Sequence, residues 1–289
     1  DGASAVTCIV VFEAHKPHNP NKNSWFGYFK NDGFEKIRNK GRIDYKKLYE
    51  KKIKKEWLDA YFNKTEKLGF SVLKNVSAND EWLVEAYMKT NYNILTKNLF
   101  EDSIKDYITY RFYNNLTKSI STKSKSSAEI KFDIKKWKTF TIGKLFEVTG
   151  SKTTPKRDLQ EIGKGVYPYV TTSSVNNGVE GFYDFFTDDG NVLIIDSAVK
   201  GVCSYQAQKF TASDHVEKLI PKFELNSYSA MFFITLINLE QYRYSYGRKY
   251  NQIRIKETEI MLPVDQHNEP DFKFMENYIK SLQYSDGIL

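Results

Sequence analysis

The stretch GNVLIIDSAVKGVCSYQ, residues 190–206, decides how this chain folds. Its β-branched and apolar residues run unbroken over 192–195, and a second run from Gly201 ends at Gln206. Two short strands are therefore expected, at 192–195 and 201–206. The same punctuation extends in both directions, through Gly143, Gly150, Gly163, Gly165, Asn177-Gly178, Gly181 and Gly190. Further strands are expected at 145–149 and 167–171, and one within 253–263. Residues 228–239 read as an apolar helix. Residues 272–282 read as an amphipathic one, with Phe272, Met275, Ile279 and Leu282 on a single stripe. Short strands interspersed with helices imply an α+β fold.

Upstream, the apolar run 5–12 reads as a buried strand. The aromatic runs 25–29 and 34–38 flank Asn31-Asp32-Gly33 and read as a hairpin. Helices are expected at 45–62, at 79–88 with Asn79 or Asp80 as cap, and at 97–113. In the last of these, Phe100, Ile104, Tyr107, Ile108 and Phe112 share one face. TKSISTKSKSSA, residues 117–128, has hydroxyls and lysines without periodicity and reads as a flexible linker. The expected organisation is thus 1–116, a linker over 117–135, a domain over 136–266 and a closing helical segment over 267–289. The chain opens DGASAVTCIVVFEAH, without Met or signal peptide, and so reads as a fragment or processed piece that begins inside a domain.

The 289 residues carry a formal charge of +7, which favours a polyanionic partner without demanding one. Divided at Ile120, the first part holds 21 cations against 15 acids and the second 22 against 21, so a basic face in the second part must be local. Cys8 and Cys203 are too few and too far apart for a disulfide framework or a zinc site, and two buried thiols in a cytosolic protein are expected. No run of eighteen apolar residues occurs, which leaves no membrane span.

The candidate site begins with QYRYSYGRKYNQIRIK, residues 241–256, where five cations alternate with tyrosines around Gly247. Cations neutralise phosphates, while Tyr and Arg offer flat faces and directional donors to bases, so a nucleic-acid-contacting edge is expected. The bland reading, a strand with exposed charges and half-buried tyrosines, stands beside it on equal terms. The polar run Thr171-Thr172-Ser173-Ser174-Val175-Asn176-Asn177-Gly178 presents hydroxyls and amides after a strand. Lys152, Lys156 and Arg157 form another basic loop.

Other constellations fail. Asn19-Pro20-Asn21 reads as a turn. Thr141-Ile142-Gly143-Lys144 lacks the paired glycines and the ending of a phosphate loop. His15 and His18 have no further metal ligand near them in sequence. Ser213-Asp214-His215 lacks a nucleophile elbow and reads as a turn. Asp188 and Asp189 suit a turn. No catalytic or metal residue is assigned.

Five segments, in order, carry a family resemblance: LFEVTGSKTTP (145–155), YPYVTTSSVNNG (167–178), GNVLIIDSAVKG (190–201), NSYSAMFFITLIN (226–238) and YGRKYNQIRIKETEIMLPV (246–264). Residues 137–263 resemble one target-recognition domain of the specificity subunits of type I restriction–modification systems, and 269–282 occupy the place of that family's spacer helix. TCIVVFEAHKPHN (7–19) and WFGYFKNDGFEKIRNKGRID (25–44) resemble the tail of an adenine-N6 DNA methyltransferase fused to such a domain. The resemblance implies a mixed β-sheet domain that reads double-stranded DNA, preceded by a methyltransferase-tail hairpin and helices and followed by the spacer helix. It implies Tyr246, Arg248, Lys249 and Tyr250 at the groove, helped by Thr172, Ser173, Asn176 and Asn177. It implies phosphate contacts from Arg243, Arg254, Lys256, Lys152 and Lys200. The chain itself has no cofactor motif. S-adenosylmethionine belongs to a parent enzyme whose catalytic domain, fused upstream or a separate subunit, is a partner. A second copy could pair through the closing helix, in a bacterial or archaeal cytoplasm. The competing expectation is a protein-interaction module whose aromatic helical faces, at 100–112 and 272–282, recruit partners.

Overall fold

The computed structural model describes residues 8–29, 31–117 and 130–289. The chain divides into two compact units, Asp1–Asn91 and Tyr92–Leu289. The division falls ahead of the Ser/Thr/Lys-rich stretch from which a linker was expected; that stretch, apart from Thr117, lies outside the described residues.

Unit 1 is built from small sheets. Strand β1 (Asn23–Gly27) pairs antiparallel with β4 (Ser71–Asn75), while β2 (Glu35–Ile37) pairs with β3 (Gly41–Ile43). The hairpin expected between 25–29 and 34–38 does not form. Instead the side chains of Asn31 and Asp32 accept from the amides of Gly33 and Phe34, which turns the chain away before β2 begins. Helix α1 (Lys54–Asn63) follows a wider helical turn at Tyr49–Ile53 and ends where Lys64 takes the left-handed conformation. Trp57 of α1 meets Trp25 of β1 edge-on, with ring centroids 5.6 Å apart. The helix expected at 79–88 is replaced by a short turn at Val84–Ala86. Asp80, the expected cap, accepts from the amide and hydroxyl of Ser77 and closes a local turn. Residues 8–12 form no strand, and Ile9 is 95% exposed; among the described residues no strand lies beside them to complete a ladder. Cys8 is exposed as well, so only Cys203 meets the expectation of a buried thiol.

Unit 2 centres on a four-stranded antiparallel sheet, β10 (Cys203–Gln206), β9 (Val192–Asp196), β12 (Val216–Pro221) and β6 (Phe146–Gly150), in that spatial order. Every residue of β9 is buried, as its unbroken apolar run requires of a central strand covered on both faces. A second, mixed sheet places β7 (Lys164–Val170) between β8 (Val179–Tyr183), antiparallel, and β11 (Thr211–Ala212), parallel. A third pair joins β5 (Lys138–Thr141) to β13 (Glu259–Leu262). Strands β8, β11 and β12 were not legible as strands, because charged residues, aromatics and short length hide their alternation. The fold is α+β.

Helix α5 (Ser227–Asn238) is the hydrophobic axis of this unit, with nine of its twelve residues buried. Its start is a capping box, in which Asn226 accepts from the amides of Tyr228 and Ser229 and the Ser229 hydroxyl accepts from the Asn226 amide. Helix α2 (Lys97–Tyr113) matches its expected bounds and packs on α5, with Phe100 centred 4.9 Å from Phe232. Its buried face is Phe100, Ile104, Tyr107, Ile108 and Tyr110; Phe112, expected on that face, is exposed. The closing helix α7 (Phe272–Ser281) turns Met275, Tyr278 and Ile279 onto the same core, and Phe272 stacks on Phe223 at 4.2 Å. The apolar stripes expected to recruit a partner or a second copy therefore face this chain's own core.

Candidate nucleic-acid interface

One end of the four-stranded sheet gathers most of the expected site. There β6 ends at Gly150, β9 ends at Asp196, and β12 and β10 begin. Backbone bonds line up the loops that leave these strands. Ser213 donates to Val170 at the base of loop 171–178, Ser197 donates to His215, and Ser151 donates to Val216. The result is a continuous rim made of residues 151–153, 171–178, 197–201 and 213–215.

The loop after β9 is shaped by one carboxylate. Asp196 accepts from the amides of Ala198, Val199 and Lys200 at 2.8, 3.1 and 3.0 Å, a compact turn that leaves Val199 and Lys200 exposed. Gly201 closes the turn at φ +68°, and a Cβ there would lie 2.8 Å from the ring of Tyr250. Both the left-handed backbone and the close approach require glycine.

That contact docks the basic–aromatic segment onto the rim. Tyr244 and Tyr250 stack on each other at 3.6 Å, nearly parallel, and both are buried. Between them Ser245 and Arg248 exchange backbone bonds of 3.1 and 3.0 Å, which lifts Tyr246 and Gly247 to the apex of a tight turn. Tyr246 is 80% exposed, and the Lys249 ammonium lies 5.7 Å from its ring centre. The Arg248 guanidinium lies over Tyr244 at 5.3 Å and donates to the Arg243 carbonyl, so its plane is held while part of it faces solvent. Helix α6 (Gln252–Glu257) follows and leads into β13, the strand expected within 253–263; Asn251 caps the helix by accepting from the Arg254 amide. Gln252 donates to Glu217, which in turn accepts from the Ser197 hydroxyl, tying α6 to β12 and to the loop after β9.

The structure divides the expected residues. Tyr246, Arg248, Lys249, Lys200 and Lys152 stand on the rim, with Thr172 and Ser173 half-buried in loop 171–178. Tyr250 is not available to a groove: it is 1% exposed, and burial pushes its phenol well above the usual range. Arg243 is committed inward. Its Nε donates at 2.6 Å to Glu240, whose side chain is fully buried. Burial works against the Arg243 charge, but the Glu240 carboxylate more than compensates and raises its pKa. Arg254 donates to the Lys249 carbonyl and braces the turn from below. Asn176 and Asn177, both left-handed, hold their loop in shape. The Asn177 amide donates to Tyr205, and that of Asn176 donates to Val179 and accepts from Asn114. Lys256 is exposed at the far end of α6, where its backbone meets Gly143, away from the turn. Asp214-His215 form the turn expected of them, and what the sequence did not reveal is that this turn completes the rim beside loops 151–153 and 197–201. Asp188, read as a turn residue, is a buried anchor that accepts from the Lys152 amide and pairs with Lys218. Among the described residues no group of acids, histidines and cysteines could hold a metal ion, and no helix is long and apolar enough to cross a membrane.

The family described as the type I restriction modification DNA specificity domain has a sequence model that matches residues 134–288. The chain belongs to this family. Its specificity domain coincides with most of unit 2 and contains the whole rim. Over 153 residues the chain is 30% identical to the specificity subunit S.BcgI of the type II restriction enzyme BgcI from Heyndrickxia coagulans, a match covering 51% of this chain and 43% of that protein. The chain thus matches less than half the length of this relative. Among solved structures, the backbone is similar to the S subunit of a type-I restriction-modification system from M. genitalium, with TM-score 0.42 and 11% identity over 64% of this chain and 46% of that one. It is also similar to the HsdS subunit from Thermoanaerobacter tengcongensis, with TM-score 0.37 and 11% identity over 66% and 44%.

Proposed function

We propose that the rim of the specificity domain reads a short sequence in double-stranded DNA on behalf of a restriction–modification adenine-N6 methyltransferase. The observation that carries this reading is the turn 245–248, held by the Tyr244–Tyr250 stack beneath it, with Tyr246 exposed at its apex and the half-exposed Arg248 and Lys249 beside it. Arg248, its guanidinium braced over Tyr244, is the residue for a bidentate guanine contact, worth roughly 1–3 kcal/mol of discrimination. Tyr246 offers a flat face, and Thr172 and Ser173 offer hydroxyls. Lys249, Lys200 and Lys152 contact phosphates, which positions the domain without specifying sequence.

The chemistry lies with a partner. The methyltransferase catalytic domain, fused upstream or separate, binds S-adenosylmethionine and flips the target adenine out of the duplex. The methyltransferase-tail resemblance of residues 7–44 and the name of the relative S.BcgI support this assignment. Selection of sequences from a random duplex pool by the chain tests the reading. A recovered motif is expected, with affinity falling steeply as salt rises. Arg248→Ala should then relax one position of that motif while retaining binding to the others. Failure to bind any duplex, or an affinity indifferent to salt, would sink the reading.

A further inference from the structure

We propose that unit 1 carries a second contact for duplex DNA, one that grips the phosphate backbone without reading sequence. It rests on the reading of this chain as a DNA-binding protein, but on different residues. Residues 36–67 hold twelve Lys and Arg against five Asp and Glu, an excess equal to the net charge of the entire chain. The rest of the protein is therefore neutral. All twelve cations are exposed.

Their placement is unfavourable in isolation. Lys36 and Arg42 are direct cross-strand partners in the β2–β3 hairpin, and like charges so opposed destabilise a pair of strands. Asp32 answers Arg42. Arg38 and Lys40 flank Asn39, which takes φ +63° at the hairpin tip. On the helical stretch, Lys51 and Lys55 are one turn apart, again a like-charge pair. With Lys52 they border a shallow depression of about 460 Å³. Two acids also line it; Glu56 is held by Lys67, which lowers the carboxyl's pKa, and Asp59 is exposed. A polyanion laid over the helical lysines relieves the Lys51–Lys55 repulsion, the hairpin cations add charge to the same unit, and release of counterions supplies the driving force.

The test compares the full chain with a Lys51→Gln/Lys52→Gln/Lys55→Gln variant on random-sequence duplex between about 50 and 200 mM salt. At the low-salt end the variant should bind at least about tenfold more weakly. Its slope of log affinity against log salt should be shallower by up to about 2.7, at about 0.9 per lost phosphate contact. Reversal of the same lysines to Glu should weaken binding further, and the motif selected from a random pool should not change. If circular dichroism shows the helix variant misfolded, Arg38→Gln/Lys40→Gln at the hairpin tip carries the same expectation. Equal affinity and slope for wild type and variants overturns this proposal alone. Loss of binding to phosphatidylserine vesicles with duplex binding intact overturns it too, in favour of a lipid surface. A wild-type chain that binds no duplex overturns the function proposed for the rim and this contact with it.

Discussion

The two units use aromatic and charged residues in opposite ways. In unit 2 the rings close on one another: Phe100, Phe232 and Tyr278 join α2, α5 and α7, and Phe146 of β6 meets Phe233 of α5 edge-on, all of them buried. In unit 1 the rings around Trp57 are only partly covered, and the sheets have two strands each. Two-stranded sheets are marginal on their own, so among the described residues the four-stranded sheet and buried helices of unit 2 give its surface the firmer support. A sequence-reading surface needs side chains held in place, whereas a phosphate contact needs only charge within reach. The proposed reading turn at 245–248 and the proposed phosphate contact at 36–67 are assigned to the units in keeping with that difference.

The sharpest way to break this contrast is to open the core of unit 2. Phe232→Ala removes a fully buried ring and should destabilise unit 2 by about 3–5 kcal/mol, read through the buried Trp137 in denaturant. A loss below about 1 kcal/mol would mean the core is not closed as described. Arg243→Ala comes next, at about 3 kcal/mol, because it leaves the Glu240 carboxylate buried without its cation. By contrast, Lys54→Ala on the surface of unit 1 should leave the melting curve where it is, since its pair with Glu50 is exposed. Thiol labelling sharpens the comparison. Cys8 should react in the native protein, whereas Cys203, its thiol pushed far up by burial, should react only on unfolding. Tyr250→Phe should have only a small effect. The Tyr250 hydroxyl is fully buried near Thr258, whose own hydroxyl is taken by Tyr244, and makes no well-formed hydrogen bond among the described residues, so its removal should change stability by no more than about 1 kcal/mol. Tyr246→Ala, six residues away from Gln252 and exposed, should leave stability alone and weaken DNA binding. If Tyr250→Phe weakened binding and Tyr246→Ala did not, the roles of the two tyrosines would be reversed.

Much of unit 2 was legible because its signals are local. The run at 192–195 is apolar without interruption, 228–239 is predominantly apolar, and α2 keeps helical spacing from Phe100 to Ile108. Unit 1 was harder, because Asn31-Asp32-Gly33 carries a turn signal that fits a hairpin equally well. Only the pairing of β1 with β4, some fifty residues later in the chain, decides against it. The site divided along the same line. Arg243, Arg248 and Arg254 are alike in sequence; Arg243 meets a buried carboxylate, Arg254 braces a carbonyl, and Arg248 lies over a ring at the solvent boundary.

Composition and periodicity alone determined that this chain mixes short strands with apolar helices, concentrates its charge early and interleaves cations with tyrosines late. Those properties follow from neighbouring residues and need no partner from elsewhere in the chain. Which tyrosines stack inward, which cations reach solvent, and which loops share one rim depended on contacts such as Gly201 against Tyr250 and Ser197 against His215. A side chain's chemistry is written in the chain, but whether it is free to act depends on what the fold places against it.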